Sequence, residues 1–144
     1  MTLPPSPAGT TTLAPAATLT VLSFPQPLPG FPGHRDYVLV AADAEGRLFW
    51  LQSVAPDGPR FLAVAPAPYF PEYAPALPRA VCADLGLDDP AEARLFCLVS
   101  VPPEGAEAAT ANLRAPVVVN PATGRATQVV LLDGSHSHRR PLRR

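Results

Sequence analysis

Three His, two Cys and 12 acidic residues are the groups in this 144-residue sequence with the chemistry to act on a substrate or metal. A nucleophilic enzyme needs Ser or Cys beside a His base, and an acid to orient that base. His34, His136 and His138 stand outside any nucleophile motif, and no G-x-S-x-G occurs. His136 and His138 are two residues apart, so on a strand they share one face and present two nitrogens to a metal. Two ligands on a chain end do not make a site. Cys82 and Cys97 lie 15 residues apart, neither a C-x-x-C nor a metal pair. Each is flanked by apolar residues and reads as a small core residue in a reducing compartment. Gly30-Phe31-Pro32-Gly33 lacks the Lys, the Ser or Thr and the following helix of a phosphate-binding loop. The acids are scattered, with no pair placed for acid–base work. These absences favour a binding module over an enzyme, with no metal and no cofactor.

Composition narrows the fold that positions these groups. There are 21 Pro, and all 11 basic residues are Arg. Pro inside a helix costs about 3 kcal/mol, which excludes a helical bundle or coiled coil. No apolar run approaches the roughly 20 residues of a membrane span, and the N-terminus lacks the basic region and apolar core of a signal peptide. The expected location is the cytoplasm. The formal net charge of −1 conceals an asymmetry: the last six residues hold four Arg, leaving seven Arg against 12 acids elsewhere. An acidic body disfavours nucleic acid and favours basic partners.

The elements read as short strands. Residues 1–16, rich in Pro, Ala and Thr, bury too little to offset their ordering entropy and are expected to be disordered. Segments 18–22, 37–41, 48–53, 60–64, 95–101, 115–119 and 125–132 carry strand patterns separated by turn chemistry. The Pro-stiffened stretch 24–33 cannot lie centrally in a sheet. Leu77, Val81 and Leu85 make one stripe on a helix of about ten residues, with Pro78 in its first turn and Gly86 as stop. Asp89-Pro90-Ala91-Glu92 has the spacing of a single capped turn. The expected fold is mainly β: a small antiparallel β-barrel-like domain with one short helix, spanning 17–135, followed by an Arg-rich tail over 136–144 that reads as a solvated end.

Several segments, in order, resemble the flagellar assembly factor FliW family. They are Phe24 with Gly30-Phe31, the strand Tyr37-Val38-Leu39, Phe49-Trp50-Leu51-Gln52-Ser53, Tyr69 through Leu77, and Asn112-Leu113-Arg114-Ala115-Pro116-Val117-Val118-Val119-Asn120. Near the C-terminus His136 stands where the family often has Tyr.

The resemblance implies a cytoplasmic, non-enzymatic protein that binds flagellin before export. It also implies that the released factor binds and antagonises the translational regulator CsrA, with no direct nucleic-acid contact and no membrane. The residues expected to meet partners are Phe49, Trp50, Tyr69, Phe70, Glu72, Tyr73, Asn112 and Asn120. Tyr and Trp are what interface hot spots use, and the Pro-flanked group Tyr69, Phe70 and Tyr73 is the candidate for exposure. For Asn112 and Asn120 the competing role is structural, with amides satisfying turn backbone groups. The alternative function is a small RNA-binding β-barrel module using the Arg-rich tail, which predicts steep salt dependence.

Overall fold

A computed structural model describes residues 19–132 and 134–142. The segment 1–16 expected to be disordered lies outside the described residues. The first four strands form an antiparallel meander: β1 (Leu19–Ser23), β2 (Asp36–Ala41), β3 (Leu48–Ser53) and β4 (Arg60–Val64). Strand β5 (Arg94–Ser100) pairs with β4 on one edge and with β7 (Val117–Asn120) on the other. Strand β8 (Arg125–Gln128) returns along β7, and its first residue meets β1 in parallel at Ser23↔Arg125. That single contact closes a seven-stranded barrel in the order β4-β3-β2-β1-β8-β7-β5.

The barrel and its one α-helix confirm the mainly-β expectation, and closure leaves few exposed edges. At the seam Ser23 N–H donates to the Gly124 carbonyl at 2.8 Å. Gly124 has φ +80°, and a Cβ there would lie 2.6 Å from the Val21 carbonyl oxygen. Only glycine permits that approach and that φ together.

The interior is filled by alternate residues of the strands, with Leu22, Phe24, Tyr37, Leu51, Phe96 and Val117 almost fully buried. Phe24 meets Tyr37, and Phe49 meets Phe96, edge-on at ring separations of 5.2 and 5.1 Å. The Tyr37 hydroxyl, buried among them, has no hydrogen-bond partner among the described residues.

Two sectors of the barrel's outer surface are covered. Helix α1 (Arg79–Leu85) lays Cys82 and Leu85 against Val118, Val129 and Leu95. The loop carrying Tyr69, Phe70 and Tyr73 covers Val64 and Cys97, together with the two-residue strands β6 (Thr110–Ala111) and β9 (Arg140–Pro141).

Helix α1 is shorter than the stripe predicts because Pro78, in extended geometry, is its N-cap. Gly86 ends it at φ +72°, and Leu87 N–H donates back to the Cys82 carbonyl at 2.8 Å. The capped turn at Asp89 forms as its spacing predicts: Ala91 N–H donates to Asp89 Oδ1, and Asp89 N–H to Glu92 Oε1. The C-terminal segment is not a loose end. Arg140–Pro141 pairs with β6, and Leu142 N–H donates to the Ala109 carbonyl at 3.1 Å.

Candidate partner-binding groove

The helix and the C-terminal segment form one wall each of a continuous depression. Its widest part, about 750 Å³, lies between α1 and β8 and reaches Pro25 and Gln26. It runs, through Pro78 and Val130, into a section of about 360 Å³ bounded by Pro75, Leu77 and Leu132. His136 then leads into a polar pocket of about 210 Å³ that holds Glu72, Tyr73 and Arg140. The middle is apolar, with Val130 59% and Leu132 93% exposed.

The floor also offers backbone. Val129 and Leu131 donate to the Pro116 and Arg114 carbonyls, at 2.9 and 2.8 Å. The strand expected over 125–132 ends at Gln128, but these alternate bonds continue past it and turn the Val130 N–H and C=O to the opposite edge, bordering the groove. They have no partner there among the described residues, and the facing Pro75 and Pro78 have no N–H to give.

The sequence-derived site residues divide into two groups. Tyr69, Phe70, Glu72 and Tyr73 are brought together with the C-terminal segment. Tyr73 donates its hydroxyl to the Leu113 carbonyl at 2.6 Å, and the His136 ring stands edge-on to it at 5.2 Å. Burial pushes the Tyr73 hydroxyl well above its usual range, and lifts the adjacent Cys97 thiol to about 12. Both groups stay neutral at physiological pH, so they pack rather than react. Arg140 reaches Glu72 at 3.4 Å and lies over the Phe70 ring at 4.9 Å.

Exposure of the aromatic group is corrected in one member: Phe70 is buried, because it fills the space between Val64, Cys97 and Leu113. Phe49 likewise points into the barrel, and Asn120 is 5% exposed. Of the eight expected residues, Glu72 is exposed and Trp50, Tyr69, Tyr73 and Asn112 are partly exposed. Trp50 lies apart, on the outer face of β3 with the Arg60 guanidinium 3.8 Å above its ring.

The structural role of the two Asn side chains is visible. Asn112 Oδ1 accepts the Arg114 and Ala115 N–H groups, both at 3.0 Å. Asn120 Oδ1 accepts Ala122 N–H at 3.0 Å, and its Nδ2 donates to the Leu85 carbonyl at 2.8 Å, tying β7 to the end of α1.

One pairing escaped the sequence: His34 Nδ1 lies 3.0 Å from Ser53 Oγ. The two are 19 residues apart and no motif links them. Ser53 Oγ also accepts Ala55 N–H at 3.1 Å, and a Cβ on Gly58 would collide with Ser53. No acid is bonded to His34 among the described residues, so the pair locks the β3–β4 turn and lacks the third member of a nucleophilic relay. His136 and His138 gather no third ligand: the described residues contain no group of three or more potential metal ligands. No helix among them is long and apolar enough to cross a membrane.

Comparison with known proteins agrees with this architecture. The family profile described as "FliW protein" matches residues 7–142. A flagellar assembly factor FliW of Symbiobacterium thermophilum is 37% identical over 124 residues, covering 85% of this chain and 88% of its own. That of Leptospira biflexa is 32% identical over 120 residues, covering 83% and 78%. A crystal structure of the flagellar assembly factor FliW superposes with a TM-score of 0.77 at 26% identity, covering 92% of this chain and 90% of that one.

Proposed function

The chain belongs to the FliW family of flagellar assembly factors, and on that premise we propose that it binds flagellin in the cytoplasm and, once flagellin is exported, binds and antagonises the translational regulator CsrA. It acts without catalysis. The family membership carries the assembly role. The groove supplies a surface suited to a polypeptide, with an apolar middle, polar ends and an unpaired strand edge. Partner exchange is a linkage: if each partner disfavours the other, flagellin concentration sets how much of the factor is available to CsrA. The acidic body suits a basic RNA-binding protein as the second partner.

The test is retention of purified flagellin on the immobilised protein at micromolar concentration. Leu132 is almost fully exposed, so Leu132→Asp leaves the fold intact and is expected to weaken retention at least tenfold. No retention by the parent protein rejects the flagellin reading. Retention unchanged by Leu132→Asp moves the site away from the groove. Competition by purified CsrA tests the switching half separately.

A further inference from the structure

The parallel ladder between β1 and β8 stops after the bridge Ser23↔Arg125, and proline stops it. Ser23 N–H donates to the Gly124 carbonyl. A ladder running on from there would take its next donors from residues 25, 27 and 29. All three are Pro and have no N–H. The carbonyls they leave without a donor are those of Ala126, Gln128 and Val130. The chain after β1 turns away as well. Phe24 N–H donates to the Arg35 carbonyl at 2.8 Å, and the Arg35 guanidinium donates to the Pro25 carbonyl at 2.7 Å. The Gln128 side-chain amide donates to the Ala115 carbonyl at 3.0 Å and so does not fold back over its own edge. The backbone N–H and C=O of both Gln128 and Val130 thus face the groove with no partner among the described residues.

We propose that this edge takes an extended segment of a partner protein as an added strand, in the lane that β1 leaves empty. The inference rests on the groove being the partner site proposed above, and it specifies how the partner is held. A helix bonds its own backbone groups to one another and has none to offer along its length. An extended segment offers N–H and C=O at a two-residue repeat of about 6.6 Å, matching Gln128 and Val130. From Ala126 to Val130 the edge is about 13 Å long at about 3.3 Å per residue, which suits a guest of about five residues. Pro78 and Val81 line the helix side of the lane, which favours apolar side chains at alternate guest positions. Proline is excluded where the guest meets the edge, for the reason that it stops β1. A second copy fits poorly: two recessed edges cannot approach to the about 4.8 Å of a ladder while α1 and the 75–78 loop wall the groove. The chain's own N-terminal residues enter from the far end. Leu19 is four residues before Ser23 and Val130 five beyond Arg125, about 30 Å apart along the parallel strands.

The probe is a synthetic peptide of about seven residues, alternating Val and Thr, added to the full chain while amide exchange is followed by NMR. Exchange at Gln128 and Val130 is expected to slow about tenfold. The same peptide with every amide N-methylated has no donor and should give no protection. Val130→Pro removes an N–H that makes no bond among the described residues, so the fold should hold while peptide protection at Gln128 is lost. Val130→Thr keeps the N–H and should keep the protection. If Val130→Pro does not fold, the N-methylated peptide decides. No protection up to about 1 mM peptide, equal protection by the N-methylated peptide, or unchanged protection in a folded Val130→Pro would overturn the proposal. So would Gln128 and Val130 amides already protected in the free protein, since a second copy or a segment of the chain itself would then hold the edge. Flagellin retention is scored separately. A chain that binds the peptide at this edge and retains no flagellin refutes the flagellin reading alone. One that retains flagellin while the peptide leaves the edge exchanging freely refutes the added strand alone.

Discussion

Asn120 is the point at which the barrel holds the helix that walls the groove, and its removal has a calculable cost. The side chain is 5% exposed and bridges the Ala122 N–H and the Leu85 carbonyl. Asn120→Ala removes both bonds. Ala122 is exposed and its N–H rehydrates, but the Leu85 carbonyl, on a fully buried residue, is left without that donor. A stranded buried group costs about 1–3 kcal/mol and an ordinary lost bond about 1 kcal/mol, so a loss of about 2–3 kcal/mol is expected. For a chain of this size, that corresponds to a fall in Tm of roughly 6–9 °C. Asn120→Asp is the sharper variant. It keeps the acceptor for Ala122 but, when ionised, sets a carboxylate against the Leu85 carbonyl, raising the folded-state pKa of the new carboxyl above its unfolded value of about 3.9. Below that pH both states are protonated and the penalty is absent. As pH rises through it the unfolded state ionises first, and stability falls relative to the parent by up to about 1.4 kcal/mol per pH unit until the folded group ionises too. Urea denaturation followed by circular dichroism between pH 3 and 7 measures both effects. A loss below about 0.5 kcal/mol for Asn120→Ala, or a pH-independent deficit for Asn120→Asp, would refute the argument.

Cys97 is raised from an ordinary 9.0 to about 12 chiefly by burial, so the unfolded chain releases this proton first. Stability should therefore decline as pH climbs from about 9 toward 12, and Cys97→Ala should flatten the start of that decline in alkaline urea titrations. Both Cys are buried, so a thiol reagent at pH 8 should label them only after denaturant is added. The partnerless Tyr37 hydroxyl makes Tyr37→Phe neutral to stabilising by about 1 kcal/mol in thermal melts, since the desolvation of that group is no longer incurred. Gly124→Ala combines a positive φ with a 2.6 Å approach to the Val21 carbonyl. It should cost more than about 2 kcal/mol, with amide exchange accelerated first at Ser23, whose N–H crosses the seam.

Local physics made much of the fold legible. The apolar runs at 48–53 and 60–64, each bounded by turn residues, match β3 and β4, and the Asp89 turn formed as its capping residues dictate. The two-residue strands β6 and β9 were illegible because their pairing joins residues about thirty apart, with no periodicity to mark it. The helix was overestimated because the apolar stripe includes Leu77, which packs on the same cluster from outside the helix. Among the site residues, aromatic identity did not reveal orientation. Phe49 and Trp50 are neighbours on β3, yet strand alternation sends one inward and the other outward. Only the register shows which is which, and a shift of one residue would have exchanged them. The groove was absent from the expected residues for a related reason. Val130 and Leu132 read as ordinary strand residues, and their exposure follows from β8 losing its β1 neighbour after Ser23, where Pro25 leads the chain away.

The prolines that first served to exclude helices explain how such an edge persists. An unpaired strand edge invites pairing with any other chain and is an aggregation hazard. Val130 presents its edge within a depression, opposite Pro75 and Pro78, rather than on a flat rim. Pro75 and Pro78 have no N–H, so two of the four wall residues between 75 and 78 cannot donate a hydrogen bond to the Val130 edge. A non-proline wall would supply N–H groups and tend to zip the groove shut. A barrel without the loop would expose the edge to every passing strand. Proline on one side and a recessed edge on the other keep backbone available to a segment that can enter the groove. Such restricted access would suit the hold-and-release role proposed above.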